Sequence, residues 1–207
     1  MPHIVLLGDS VFDNGVYSRP EPEVADHLRT LAGDTWKVSL LAVDGSTTSD
    51  VAAQIGRIPA DATHVALSTG GNDALGHADL LDQQVETAAE ALSLFADPLT
   101  AFAIEYAKVL NALRSTGLPI VACTVYNGNL PVEIAAAVEV AVATFDDTIQ
   151  RLVRVAGFDV VELRSVCDQP EDFANPIEPS GIGGRKIAQA LLDWAEATHS
   201  QVDSRRT

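Results

Sequence analysis

Five short runs of apolar, largely β-branched residues punctuate the chain: HIVLLG (3–8), WKVSLLAV (36–43), THVALST (63–69), PIVACTVY (119–126) and DVVELR (159–164). Runs this uniformly apolar suit strands covered on both faces rather than strands with one face in water. The segments between them carry helical patterns. The clearest is 132–156, where Ile134, Val138, Ala141, Phe145, Ile149, Leu152 and Ala156 fall on one stripe, with Glu133, Glu139, Asp147, Gln150 and Arg154 largely off it. A last helix repeats the pattern with Ile187, Leu191 and Trp194 inward. Strands alternating with helices predict an α/β fold of three layers, α/β/α, around an open and mostly parallel five-stranded sheet.

With 207 residues, 47% of them apolar, the chain can bury one sizeable core. No repeat or linker divides it, so the expected organisation is a single domain over 1–199, followed by a polar, frayed tail over 200–207. Lys and Arg number 13 against 29 Asp and Glu, a formal charge of −16. A polyanion would be repelled, which argues against nucleic acid as a partner. No stretch reaches the roughly 18 apolar residues of a membrane span. The N-terminus, MPHIVLLGDS, lacks a basic segment ahead of its apolar run and reads as a strand rather than a signal peptide, so a cytoplasmic protein is expected. Cys123 and Cys167 have no metal-ligand spacing, and neither a disulfide nor a metal or cofactor is expected. The oligomeric state is left open.

In open α/β sheets ligands bind beyond the carboxyl ends of the strands, so the residues that follow each run carry the functional information. After the first comes GDSVFDNG, with Gly8, Asp9 and Ser10; after the second DGSTTSD, with Gly45. After the third comes TGGNDALGH, with Gly71, Asn72 and Asp73, and after the fourth YNGNLP, which starts at Tyr126. The fifth is followed by an unusually long connection, SVCDQPEDFANPIEPSG, ending close to Asn175 and Glu178. Taken singly, Gly-Asp-Ser is turn chemistry and GGND is ordinary loop composition. Taken together, a hydroxyl and two groups able to donate to an oxyanion end three strands that can be neighbours, which is what nucleophilic catalysis needs.

The blocks GDSVFDNG, Gly45 and GGND resemble those of the SGNH hydrolase superfamily, also called the GDSL esterase and lipase family, and the likeness extends over nearly the whole chain. It implies a flavodoxin-like sheet of order 2-1-3-4-5 and a small-molecule ester as substrate. It implies Ser10 as nucleophile, with oxyanion donors from the backbone N–H of Ser10 and Gly45 and the side-chain amide of Asn72. Asp9, Gly71, Asp73 and Tyr126 would line the substrate site.

The last block departs from the family. Where Asp-x-x-His is expected the chain has NPIE, so Asn175 stands in the Asp place and Glu178 in the His place. None of the five histidines, His3, His27, His64, His77 and His199, has the family spacing. Loss of the catalytic histidine costs serine proteases on the order of 10⁶ in turnover, which would reduce a typical rate of about 10 s⁻¹ to roughly one event a day. Three readings remain open. Glu178 can serve as base, its weak basicity raised by burial or by a like-charged neighbour, with Asn175 donating its amide to the carboxylate. The scaffold can instead be a catalytically silent small-molecule binder in which Glu178 is a helix-entry acid. Or His77, or an ion held by Asp9, Asp73 and Glu178, can activate Ser10 or a water.

Other signals are weaker. SGIGGRKIA fails the phosphate-loop spacing, because Arg185 precedes Lys186 and Ile187 follows it. No Gly-x-Ser-x-Gly elbow is present.

Overall fold

The computed structural model describes residues 1–204. Five strands, β1 (His3–Gly8), β2 (Lys37–Leu40), β3 (His64–Ser68), β4 (Ile120–Cys123) and β5 (Asp159–Val161), form one parallel sheet in the order β2-β1-β3-β4-β5. This is the expected topology. β1 lies between β2 and β3, so the direction of winding reverses beside it, and the chain leaving β1 opens into the crevice where such sheets bind ligands.

The helices that shape the site are α1 (Val24–Ala32), α2 (Gly71–Leu75), α3 (Ala96–Arg114), α4 (Val132–Ala156) and α5 (Gly181–Ser204). Alternation along β1 divides the core in two. Ile4 and Leu6 pack with Val24 and Leu28 of α1 and Ile187 and Leu191 of α5. Val5 and Leu7 pack on the other face with Phe102 and Tyr106 of α3 and Phe145 and Ile149 of α4. Every strand residue of β1, β3 and β4 is buried, as the uniformly apolar runs require.

The runs overstate the strands at their carboxyl ends. Residues 41–43, 124–126 and 162–164 leave the sheet. Beyond β5 the Glu162 carboxylate collects Thr124 Oγ1 at 2.7 Å, Gln150 Nε2 at 3.0 Å and Arg164 Nε at 2.9 Å, a polar hub outside the strand ladder. Trp194, expected inward, lies at the margin of the core and donates its indole N–H to Asp159 Oδ2 at 2.8 Å. Helix α5 continues through Ser204, past residue 200 where a frayed tail was expected; residues 205–207 lie outside the described residues.

The stripe on α4 divides. Phe145, Ile149 and Val153 are buried against the sheet, whereas Ile134 is 47% exposed. The reason is length: α4 has 25 residues, about 37 Å of helix, against a four-residue β4, about 13 Å. Its first half rises beyond the carboxyl edge with no strand beneath it.

Candidate active site

The turn after β1 is set by a residue without a side chain. Gly8 has φ +127°, and a Cβ there would come within 1.6 Å of the Ser68 carbonyl oxygen. Gln54 holds the same peptide from both sides, its Oε1 accepting from Gly8 N at 2.7 Å and its Nε2 donating to Gly8 O at 2.8 Å. The chain can therefore hug β3 and then turn sharply upward, lifting Asp9 and Ser10 over the carboxyl edge.

Glu178 reaches the same place from the far end of the sequence, in a loop tied down along its length. Tyr126 Oη donates to the Ile177 carbonyl at 2.7 Å, and Asn129 N donates to the Pro176 carbonyl at 2.9 Å. The buried Asn14 accepts from Val24 N at 2.9 Å and donates to the Pro179 carbonyl at 3.0 Å, joining the start of α1 to the residue after Glu178. Between these anchors the Ser10 hydroxyl donates to Glu178 Oε1 at 3.0 Å. Both residues are buried, Ser10 at 8% exposure and Glu178 at 6%, and Glu178 Oε2 takes no hydrogen bond from the protein. Burial pushes the Glu178 carboxyl up to about 7; the Ser10 hydrogen bond opposes this and the Asp44 charge adds to it. Asp9, also raised to about 7, is lifted by burial, lowered by its hydrogen bond from Val11 N, and raised again by the charges of Glu178 and Asp73.

Asn72, in the first turn of α2, donates Nδ2 to the Ser46 carbonyl at 2.9 Å, which fastens the loop after β3 to the loop after β2. Gly45, the residue before Ser46, has φ +77° and is exposed. Asp73 is occupied elsewhere: its Oδ2 accepts from both the backbone N and the hydroxyl of Thr48, at 2.9 Å each, and it does not line the cavity described below. Asn175 differs from expectation. Its Oδ1 caps the backbone N–H groups of Ile177 and Glu178 at 2.9 Å each, so it shapes the turn that presents Glu178 rather than donating to the carboxylate. Asn14 and Gln54 are the positioning residues that sequence reasoning missed. Asn14 sits in a turn-like string where asparagine is unremarkable, and a lone glutamine in a short helix carries no signal at all.

Asp9, Ser10, Gly71, Asn72, Tyr126 and Glu178 all line one cavity of about 410 Å³. Its remaining walls are mainly apolar and come chiefly from α2, the segment after it, the loop after β4 and the overhanging half of α4, with Ile177 beside Glu178. His77 is on the wall, yet the Ser10 hydroxyl is directed at Glu178. Among the described residues no group of three or more His, Cys, Asp or Glu is placed to hold a metal ion, and the ion site envisaged from Asp9, Asp73 and Glu178 loses Asp73 to Thr48. Among the same residues no helix is long and apolar enough to cross a membrane.

The family model of the GDSL-like lipases and acylhydrolases matches residues 6–199. The chain belongs to this family. No curated protein sequence matches it. Among solved structures, the GDSL-family chain resembles an extracellular lipase from Streptomyces rimosus, with a TM-score of 0.72 and 19% identity over 94% of this chain and 100% of that one. A phospholipase A1 from Streptomyces albidoflavus gives 0.71 and 16% over 93% and 98%. An acetyl-xylooligosaccharide esterase from Geobacillus gives 0.65 and 17% over 93% of each. At these identities the likeness carries the SGNH fold and leaves the substrate open.

Proposed function

We propose that the protein is a serine ester hydrolase in which Glu178 replaces the histidine base. The observation that carries this reading is the 3.0 Å hydrogen bond from the Ser10 hydroxyl to Glu178 Oε1 at the floor of an apolar cavity. A base must reach its proton before its pKa matters, and this one does. The shift to about 7 then removes most of the disadvantage of a carboxylate against imidazole.

In the forward step Ser10 Oγ bonds to the substrate carbonyl carbon while its proton passes to Glu178 Oε1. The carbonyl oxygen becomes an oxyanion, received by the backbone N–H groups of Ser10 and Gly45 and by the Asn72 amide. The tetrahedral centre collapses, the carbon–oxygen bond to the alcohol breaks, and the departing oxygen takes the proton from Glu178. In the second half Glu178 removes a proton from water, the hydroxide adds to the acyl carbon, and Ser10 leaves with the proton returned. Asn175 acts as a positioning residue, holding the turn that presents Glu178. Asp9, buried and raised to about 7, limits the negative charge beside the oxyanion by remaining partly protonated at neutral pH.

The test is labelling by a fluorophosphonate together with hydrolysis of short nitrophenyl esters, wild type beside Ser10→Ala and Glu178→Gln. Labelling and turnover that vanish in Ser10→Ala support the reading. Neither labelling nor Ser10-dependent turnover in the wild type leaves a small-molecule binder on the same scaffold.

A further inference from the structure

We infer that the cavity is an acyl-chain channel, and that the overhanging half of α4 measures the length of the chain it accepts. This rests on the ester hydrolase reading for its chemistry and on the cavity walls for its content.

The four substituents of the tetrahedral centre divide the space above Ser10. One is Ser10 Oγ itself. The oxyanion faces the Asn72 amide and the loop after β2, and the leaving oxygen must lie at Glu178 to receive its proton. The fourth is the acyl carbon, and the volume left for it is the part of the cavity between α4 and the segment after α2. There the walls are mainly apolar: Ile134, Val138, Ala141 and Phe145 of α4 on one side, Leu81 and Phe95 on the other, with His77 and Asp82 the polar residues of that second side. These α4 residues repeat at three and four positions, so one face of the helix lines the channel from end to end.

Burial along that face gives the direction. Phe145 is 1% exposed at the level of the sheet edge, Ala141 and Val138 are half-buried, and Ile134 is 47% exposed. The channel therefore runs from the buried serine upward and opens to solvent near Ile134. From Phe145 to Ile134 the helix rises about 16 Å, and an extended chain advances about 1.2 Å per bond, so an acyl group of about fourteen carbons spans the wall. An acetyl group would fill only its lowest part. Each added methylene should raise kcat/KM about fourfold until the chain emerges.

The experiment uses nitrophenyl esters from acetate to hexadecanoate at fixed alcohol, and alkyl acetates of the same lengths at fixed acyl group. Expected is a rise in kcat/KM with acyl length that levels off at about fourteen carbons, with little dependence on alkyl length. Ala141→Trp, low on the wall, should cut the octanoate-to-acetate ratio at least tenfold. Ile134→Trp, at the mouth, should affect only the longest chains. Because the readout is a ratio, a misfolded fraction does not imitate it, and thermal melting checks each variant. A preference for acetate, a length dependence on the alcohol side, or an unchanged ratio in Ala141→Trp would overturn the channel. Binding of 2-decanone, a ketone that cannot be hydrolysed, separates this from failure of the enzyme reading. If no ester is cleaved, calorimetric binding of 2-decanone that Ala141→Trp abolishes still supports the channel, and no binding of 2-decanone by the wild type overturns it.

Discussion

Ser10 and Glu178 are 168 residues apart in the chain, and the hydroxyl of one donates to the carboxylate of the other at 3.0 Å. The contact joins the first strand's exit to the last loop before α5, so the whole sheet must form before it exists. It also makes definite demands on pH.

The base must be ionised to accept the serine proton. With the Glu178 carboxyl raised to about 7, kcat/KM should climb with pH through an acid limb near 7 and then level off. The limb belongs jointly to Glu178 and Asp9, whose charges interact, and should be broader than a single titration. Glu178→Gln should lower turnover by several orders of magnitude, while His77→Ala should retain it. A Glu178→Gln enzyme with an intact rate profile would remove Glu178 from the reaction.

The same group weakens the fold as the solution becomes alkaline. Its folded pKa is above its unfolded value near 4.5, so the folded state holds the proton more tightly; the stability this gives is complete below about 4.5 and lost as pH rises through about 7. At pH 8 the wild type therefore bears a penalty on the order of 3 kcal/mol that the amide does not. Glu178→Gln should melt higher than wild type at pH 8, by more than at pH 4, in calorimetric scans. Equal differences at both pH values would contradict the burial of a titrating carboxyl.

In the proposed mechanism Asn72 serves the oxyanion, and in the structure it also fastens the loop after β2. Removal of a single oxyanion donor typically lowers kcat by about 10²–10³. Asn72→Ala should reach at least that range, because it also releases the Ser46 carbonyl and with it the loop that carries Gly45. Steady-state kinetics with a short ester should show the loss in kcat rather than in KM.

Tyr126→Phe keeps the cavity's shape and deletes one hydroxyl, the donor to the Ile177 carbonyl. Loss of this part-buried hydrogen bond costs about 1 kcal/mol. Loosening the residue before Glu178 also admits water to the carboxylate, which lowers its pKa. The acid limb should therefore move to lower pH and kcat should fall, a combination that simple destabilisation does not produce.

The layered α/β architecture was legible because β1, β3 and β4 are buried on both faces and read as unbroken apolar runs, while the strand order followed from the family resemblance. The strand ends were not, since Glu162 leaves the sheet for partners on two other segments and on Arg164 of its own. In the site, chain order and motif pointed to Ser10, Asn72 and Glu178 at one sheet edge, and the three line one cavity. The roles of Asn175 and Asp73 were misjudged because an asparagine oxygen on a backbone N–H, or a carboxylate on a threonine, depends on turn geometry that residue type does not encode. Ile134 and Val138 share an apolar stripe with Phe145 but not its burial, because periodicity reports which face of a helix is apolar, not what that face meets.

The division of α4 means that two kinds of selection act on separate stretches of one helix. Changes at Phe145, Ile149 or Val153 are felt as cavities in the core, at a cost of about 2–5 kcal/mol for truncation to alanine. Changes at Ile134, Val138 or Ala141 disturb no strand. Ile134 and Phe145, about 16 Å apart along the helix, are far enough apart for their effects to be close to additive. In the channel reading, a lineage carrying this helix is therefore free to alter what it accepts at the mouth without risking whether it folds.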